Sequence, residues 1–404
     1  MAKQQLSAFI LIFLGMLTAF GPLVTDMYLP TLPQMVGEFH TSPTMIQLGL
    51  TTCMAGLAIG QLFFGPLSDK YGRKPLLVAG MALFLASTAG CLYAQTGMQF
   101  AAWRLAQGLA GASGIVIARS VSADLFAGRE LAKMLGIIGA INGVAPIAAP
   151  MCGGLLADSV GWQGIFWSLF AVGVLLLAGS LRFAESLPRE RRRRSGWGET
   201  VRSFAVVLRN RHYRAYVLQF GFGHVVLFAN IASAPFIMQQ HYGFTPLQFS
   251  LCFGANALAI VAASALSMRF RHLEVLSYRC SQGLLAVSVL MLAALAGSCS
   301  FWVYEALLLC LLLLLGFTFA SANTLAMDAE RRNAGTASAV LGALGFLLGG
   351  LVPPLVGVGN VLTATGLVFC AGAAGIFVCS RHALRSLLGR RTSGAGLQYQ
   401  KVRV

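Results

Sequence analysis

"GPLSDKYGRKPLL", from Gly65 to Leu77, lies between two long apolar runs and sets six charged or glycine positions into one short link. Each flanking run is of membrane length, since a bilayer core needs roughly 20 apolar residues per helix. The link therefore reads as a tight turn between two spans. Gly72 permits a positive φ in the reversal, and Lys70, Arg73 and Lys74 mark the turn as cytoplasmic. A turn that only sets topology accounts for those three cations but not for Asp69. A carboxylate near a helix C-terminus is disfavoured by the helix dipole, so Asp69 needs a guanidinium or the positive end of another helix.

The rest of the chain has the same character. Its 404 residues are 57% hydrophobic and only 10% charged, with a mean hydropathy of +0.75. A soluble domain carries about 25% charged residues, so most of this chain does not face water. The net charge of +16 does not indicate nucleic-acid binding, because the basic residues fall in gaps between apolar runs and form no basic, aromatic-interleaved surface. The nine cysteines stand singly, without metal-ligand spacing or a disulfide framework. The apolar run from Ser7 to Tyr28 exceeds a signal-peptide core of roughly 7–15 residues and is followed by no A-x-A site. It reads as a retained first span.

Apolar runs and their breaks place spans near 7–28, 44–65, 75–95, 98–122, 132–155 and 161–183, then near 213–238, 245–269, 276–297, 301–327, 334–357 and 361–383. The polar stretch "ESLPRERRRRSGWGETVRSF" (Glu185–Phe204) divides the two groups of six. The expected architecture is an all-α membrane protein of twelve transmembrane helices in two six-helix halves. The expected domains are an N-terminal bundle over 1–184, an Arg-rich cytoplasmic loop over 185–212, a C-terminal bundle over 213–384 and a basic cytoplasmic tail over 385–404. With both termini inside, 28 of the 29 Lys and Arg residues fall on the cytoplasmic side, as the positive-inside rule requires. Trp103, Trp162 and Trp302 then fall near the outer edge, where interfacial indoles are expected.

The remaining cation is Arg104, inside the fourth span. An arginine at the bilayer centre costs from about 2.5 to well over 10 kcal/mol, so it must face the bundle interior or water. Arg104, Gln107, Gly108 and Gly111 share one helix face. Gly15, Thr18, Ala19, Pro22 and Asp26 share a face of the first span, at comparable depth. Asp26 is the natural partner for Arg104, the competing reading being a carboxylate solvated at the outer rim. A lone histidine on an apolar span, such as His224, is more often held by packing than used for chemistry. Glu305, beside Trp302, reads as an interfacial residue. Gln107, Asn142, His224, Asn256 and Asn323 are candidates for a polar cavity lining.

The opening stretch resembles the cytoplasmic signature turn of the major facilitator superfamily, with Gly65, Asp69, Gly72, Arg73 and Lys74 in its pattern. The resemblance implies a conformational latch, with Asp69 paired to the facing half and Arg73 to Asp124. "TDMYLPTLP" (Thr25–Pro33), "RLAQGLAGA" (Arg104–Ala112), "APIAAPMCGG" (Ala145–Gly154), "GWQGIFW" (Gly161–Trp167) and "AGTASAV" (Ala334–Val340) together resemble the Bcr/CflA group of drug:proton antiporters. In the family's antiporter motif, Ala145 and Ala149 stand where glycines are usual, while Pro146, Pro150, Gly153 and Gly154 match. Physically, the prolines free backbone carbonyls and kink the helix, and the glycines allow close packing. The resemblance also implies that Asp26 is a protonation site.

The expectation is a monomeric, proton-coupled exporter of small amphipathic compounds in a bacterial inner membrane, such as bicyclomycin-, sulfonamide- or phenicol-type antimicrobials. It would work without enzymatic activity, cofactor, metal or nucleic acid; no phosphate-binding loop appears in the sequence. Its partners would be the substrate, protons and the bilayer. A dedicated exporter of one amino acid or nucleoside is the alternative. Uptake symport ranks below it because of the span-five motif, and a non-transporting scaffold gives no reason for the intramembrane charges.

Overall fold

The computed structural model describes residues 8–192 and 197–392; Lys3, Arg193, Arg194 and most of the basic tail lie outside them. The described residues are almost entirely helical. In chain order the helices are α1 (Ala8–Asp26), α2 (Leu32–Glu38), α3 (Pro43–Tyr71), α4 (Arg73–Leu92), α5 (Gly97–Leu125), α6 (Gly128–Arg182) and α7 (Trp197–Arg209). They continue with α8 (Arg211–Phe236), α9 (Pro246–Ser267), α10 (Leu273–Ala296), α11 (Phe301–Ala329), α12 (Ala334–Gly350), α13 (Pro353–Val356) and α14 (Val361–Thr392).

Among the described residues, eleven stretches are long and apolar enough to cross a membrane. One of them lies in α6, whose 55 residues would extend about 80 Å at 1.5 Å per residue, more than twice a bilayer core. Gly161 resolves this, because its φ of 62° and ψ of −168° break the helix. A side chain rarely adopts that conformation, and the break makes two spans where the sequence placed spans five and six. Helical geometry otherwise continues through Pro146 and Pro150, so neither proline ends the helix.

Local chemistry fixes the other ends. Ser42 accepts from Met45 N–H, Thr96 from Gln99 N–H, and Asn210 from His212 and Tyr213 N–H. Thr245 and Gln248 form a reciprocal capping box. Each satisfies amides that a helix start leaves without partners. Gly72 turns α3 into α4 with a φ of 105°.

Helices α3, α4, α5, α1 and α6 pack on one another, and α8, α9, α10, α11, α12 and α14 do likewise. Contacts between the two sets run along α3 with α12 and α13, and along α6 with α9. One apolar core threads these helices. A second, around Val207, Tyr213, Tyr216, Ala337 and Leu341, seats α7 against α8 and α12. Large apolar side chains such as Ile12, Leu155, Leu175, Leu290 and Val378 are exposed, the surface a bilayer covers. Of the expected interfacial indoles, Trp302 is exposed. Trp162 is instead buried, and its Nε1–H donates to the Glu38 carboxylate at 2.6 Å.

Candidate functional site

Arg104 is completely buried on α5. Its Nη2 donates to the Val24 carbonyl at 3.0 Å, near the end of α1. Its Nη1 donates to Gln107 Oε1, and Gln107 Nε2 donates to Thr88 Oγ1 at 2.8 Å. The guanidinium carbon lies 4.5 Å from the Tyr28 ring centre and 5.7 Å from that of Phe166. A desolvated cation–π contact contributes about 2 kcal/mol. Arg104 is thus held by a carbonyl, an amide and two rings, while Nε has no partner.

Asp26 is also buried, 6% exposed, at the last turn of α1. The direct Asp26–Arg104 pair expected from the sequence is not formed. No ion pair joins the two among the described residues, because the guanidinium fork is taken by Val24 and Gln107. Burial also sets aside the reading of Asp26 as a rim carboxylate in water. Gln107, expected at a cavity wall, belongs to this buried network.

Gly153 and Gly154 join this region to the seam. A Cβ on Gly153 would overlap the Met27 carbonyl, and one on Gly154 would overlap Ser250 Oγ on α9. One glycine therefore brings α6 against the residue after Asp26, and the next brings it against α9. Further bonds cross the seam at the same end, from Gln47 Nε2 to Ala232 O at 3.1 Å and from Gln239 Nε2 to Pro30 O at 2.8 Å.

The turn at Gly72 lies at the opposite end. Arg73 Nη1 donates to Asp69 Oδ1 at 2.6 Å and to Ser68 Oγ at 2.7 Å, and Arg73 Nε donates to Asp124 Oδ2 at 2.9 Å. Asp69 is held by its own turn rather than by a residue of α8–α14. Glu185, which the sequence reading did not single out, accepts from Arg73 N–H at 2.9 Å and Lys74 N–H at 3.3 Å. It caps α4 from across 112 residues. Lys74 Nζ reaches the Leu181 carbonyl. Gly65 has open space around it, the nearest atom to a Cβ there being a Val116 methyl at 3.9 Å.

The other candidates separate. His224 sits among Phe220, Phe228, Phe319 and Phe346, with Nδ1 3.0 Å from the Phe220 carbonyl, an arrangement of packing. Asn323 is exposed. Asn256 is 1% exposed, with neither side-chain polar atom partnered. The side chain of Asn142 lies outside the described residues. Sequence reasoning also missed Gln47 and Asn230, both buried near the seam. Each is a lone amide in an apolar run, and that is the signal that would have found them.

Residues 9–354 match the family model described as "Major Facilitator Superfamily". The chain belongs to that superfamily. It is 39% identical over 360 residues to the "Uncharacterized MFS-type transporter YdgK" of Bacillus subtilis (strain 168), covering 87% of this chain and 89% of that protein. It is 30% identical over 391 residues to the "Bicyclomycin resistance protein homolog" of Haemophilus influenzae, covering 92% and 94%. Among solved structures, a bacterial homologue of the human lysosomal transporter Spinster superposes with a TM-score of 0.73 at 15% identity, over 94% of this chain and 98% of that one. That likeness is one of fold. The sequence similarity makes the chain a Bcr/CflA-type member, a multi-pass membrane transporter.

Proposed function

We propose that this transporter is a proton-driven exporter of small amphipathic compounds, bicyclomycin-type antimicrobials among them, across a bacterial inner membrane. Residues 1–184 and 213–384 act as two halves that rock about a central site, with both termini, the 185–212 loop and the 385–404 tail in the cytoplasm. The observation that carries the reading is the buried Asp26 beside an Arg104 held by a backbone carbonyl. Ionisable residues buried in a bilayer without a mutual bond are expensive, and such residues mark functional sites.

In the conformation described, the Arg104 fork holds Val24 and Gln107, which suits a protonated, neutral Asp26. Loss of the proton creates a carboxylate two residues from Val24. A charge-assisted, two-pronged Arg–carboxylate bond is stronger than one to a neutral carbonyl, so the fork turns from Val24 to Asp26. That turn rotates the end of α1, whose Met27 carbonyl rests on Gly153 of α6. The proton thereby acts on the α6–α9 seam.

Seam bonds at the end carrying Pro30, Gln47 and Ala232 support closure at the outer face. The Asp69–Arg73–Asp124 cluster, bonded within its own half, supports an inner face that is open. In this reading the cluster is a latch that meets the facing half in the other state.

The test is efflux from everted vesicles of a host lacking its own exporters. Bicyclomycin uptake should follow an imposed pH gradient and vanish with an uncoupler. Gradient-independent movement would overturn proton coupling, and failure to move any antimicrobial while moving one metabolite would make the chain a dedicated exporter.

A further inference from the structure

Beyond Asp26 the chain turns through Leu29–Thr31 into α2, which ends at Glu38. A carboxylate at a helix C-terminus is disfavoured by the dipole, so α2 itself gives no reason for one there. Two of its three partners lie on α6. The exposed Glu38 carboxylate accepts from Trp162 Nε1–H at 2.6 Å, from Gln163 Nε2 at 3.1 Å and from Gln34 Nε2 at 2.8 Å. Gly161, whose positive φ breaks α6, lies against the same two amides. A Cβ on it would stand 3.4 Å from Gln163 Oε1 and 3.6 Å from Gln34 Nε2. The break therefore delivers Trp162 and Gln163 to Glu38.

From Trp162 a column of rings leads to Arg104. Centre to centre, the indole stands 5.7 Å from Phe166 and 6.0 Å from Phe100, and Phe39 backs it at 5.4 Å. Phe166 and Phe100 meet Tyr28 at 5.8 and 6.3 Å. Tyr28 and Phe166 are the two rings against the Arg104 guanidinium. Tyr28, Phe100 and Phe166 are completely buried, and Trp162 is 3% exposed. Helix α3 presses on the column too, since a Cβ on Gly49 would overlap the Phe100 ring.

Such a column excludes water and offers a proton no path. Proton relays in membranes are chains of polar groups. Within the column the Tyr28 hydroxyl stands between the Glu38 group and the Arg104 group, and it is buried with no hydrogen-bond partner. At the other end, a buried indole N–H needs an acceptor. Glu38 supplies it from the water side and so fixes the outermost buried ring.

We infer that Glu38 is a positioning residue which, through the Trp162 indole, holds an aromatic seal closed over Arg104 and the end of α1. The seal shuts these buried charges off from the face that the proposed topology puts outside. It deepens the proposed proton coupling, and rests on that reading only in naming Asp26 as the group shielded.

Proteoliposomes of the full chain, with an imposed pH gradient, a trapped pH dye and no substrate, test the inference. Trp162→Phe keeps a ring but loses the N–H, and Glu38→Ala loses the acceptor. Each should collapse the gradient roughly tenfold faster than wild type, the rate equivalent of losing one hydrogen bond to a charged group. The double variant should leak no faster than either single one, because both remove the same bond. Glu38→Gln, which retains an acceptor oxygen, should stay near the wild-type rate, a rescue that general loosening of the fold would not give. Wild-type tightness of both Glu38→Ala and Trp162→Phe would overturn the seal, as would leaks that multiply in the double variant. Adding Asp26→Asn separates the two readings. A leak that survives it would overturn Asp26 as the coupling residue and still support the seal.

Discussion

Arg104 donates to the Val24 carbonyl at 3.0 Å, not to the carboxylate of Asp26, two residues further along α1. Among the described residues Asp26 therefore makes no ion pair. In the proposed cycle the two residues exchange partners rather than remain joined.

Replacing Asp26 with Asn should therefore abolish proton-driven export while leaving substrate binding, because the amide imitates the protonated acid. Arg104→Lys keeps the charge but loses the planar fork. It can hold Val24 or Gln107 but not both in this geometry, and losing one charge-assisted bond of about 1.5–3 kcal/mol should slow transport roughly tenfold or more. Substrate-induced proton release from detergent-purified protein is the measurement. Undiminished release by Asp26→Asn would locate the coupling proton elsewhere.

Gly153 and Gly154 should differ sharply when each is changed to Ala. The Gly153 methyl would meet backbone, the Met27 carbonyl oxygen, with its carbon only 2.8 Å away. Backbone cannot step aside cheaply, so overpacking of about 1–3 kcal/mol or more should accompany loss of transport. The Gly154 methyl meets mainly the Ser250 side chain. Ser250→Gly should therefore rescue Gly154→Ala, and it should not rescue Gly153→Ala. Thermal unfolding and transport of the four variants check this, and equal rescue of both would refute the packing account.

Orientation is tested by labelling. In a cysteine-free background, cysteines at His40 and Ser298, both in turns with positive φ, should react with membrane-impermeant maleimide in intact cells. Cysteines at Arg192 and beside the C-terminus should react only after permeabilisation. Labelling of Arg192→Cys from outside would invert the proposed topology.

What the sequence discloses and what it hides divide along the range of the interaction. The spans, the break before Trp162 and the positive φ of Gly72 were legible, because each depends on neighbouring residues. Arg104 was legible as a buried charge, but its partner was not. A backbone carbonyl carries no residue identity, so Val24 gave no sign, and the visible carboxylate at Asp26 drew the inference instead. Trp162 read as an interfacial indole because its acceptor, Glu38, lies 124 residues away. The antiporter-type glycines read correctly as close-packing positions, although which backbone each one touches required the fold.

The turn from which the reading began supplies the last prediction, in which Glu185 matters as much as the signature residues. Its carboxylate takes the first two N–H groups of α4 at 2.9 and 3.3 Å and also accepts from Leu187 N–H at 3.1 Å. It therefore ties the end of α6 to the turn. Removing a side-chain cap costs about 0.5–2 kcal/mol, and a carboxylate also favours the helix dipole. Glu185→Ala should thus lower the melting temperature and loosen the turn. Asp124→Asn should do the same, because Arg73 is only 7% exposed in its side chain and relies on Asp124 for its Nε bond. Asp69 is different, with 34% side-chain exposure. Asp69→Asn should leave the melting temperature nearly unchanged yet stop transport, since its proposed role is a charge offered to the facing half in the other conformation. Distance measurements across the inner end should then show that conformation depleted. Full transport by Asp69→Asn would reduce the turn to a determinant of topology, with Glu185 and Asp124 serving stability alone.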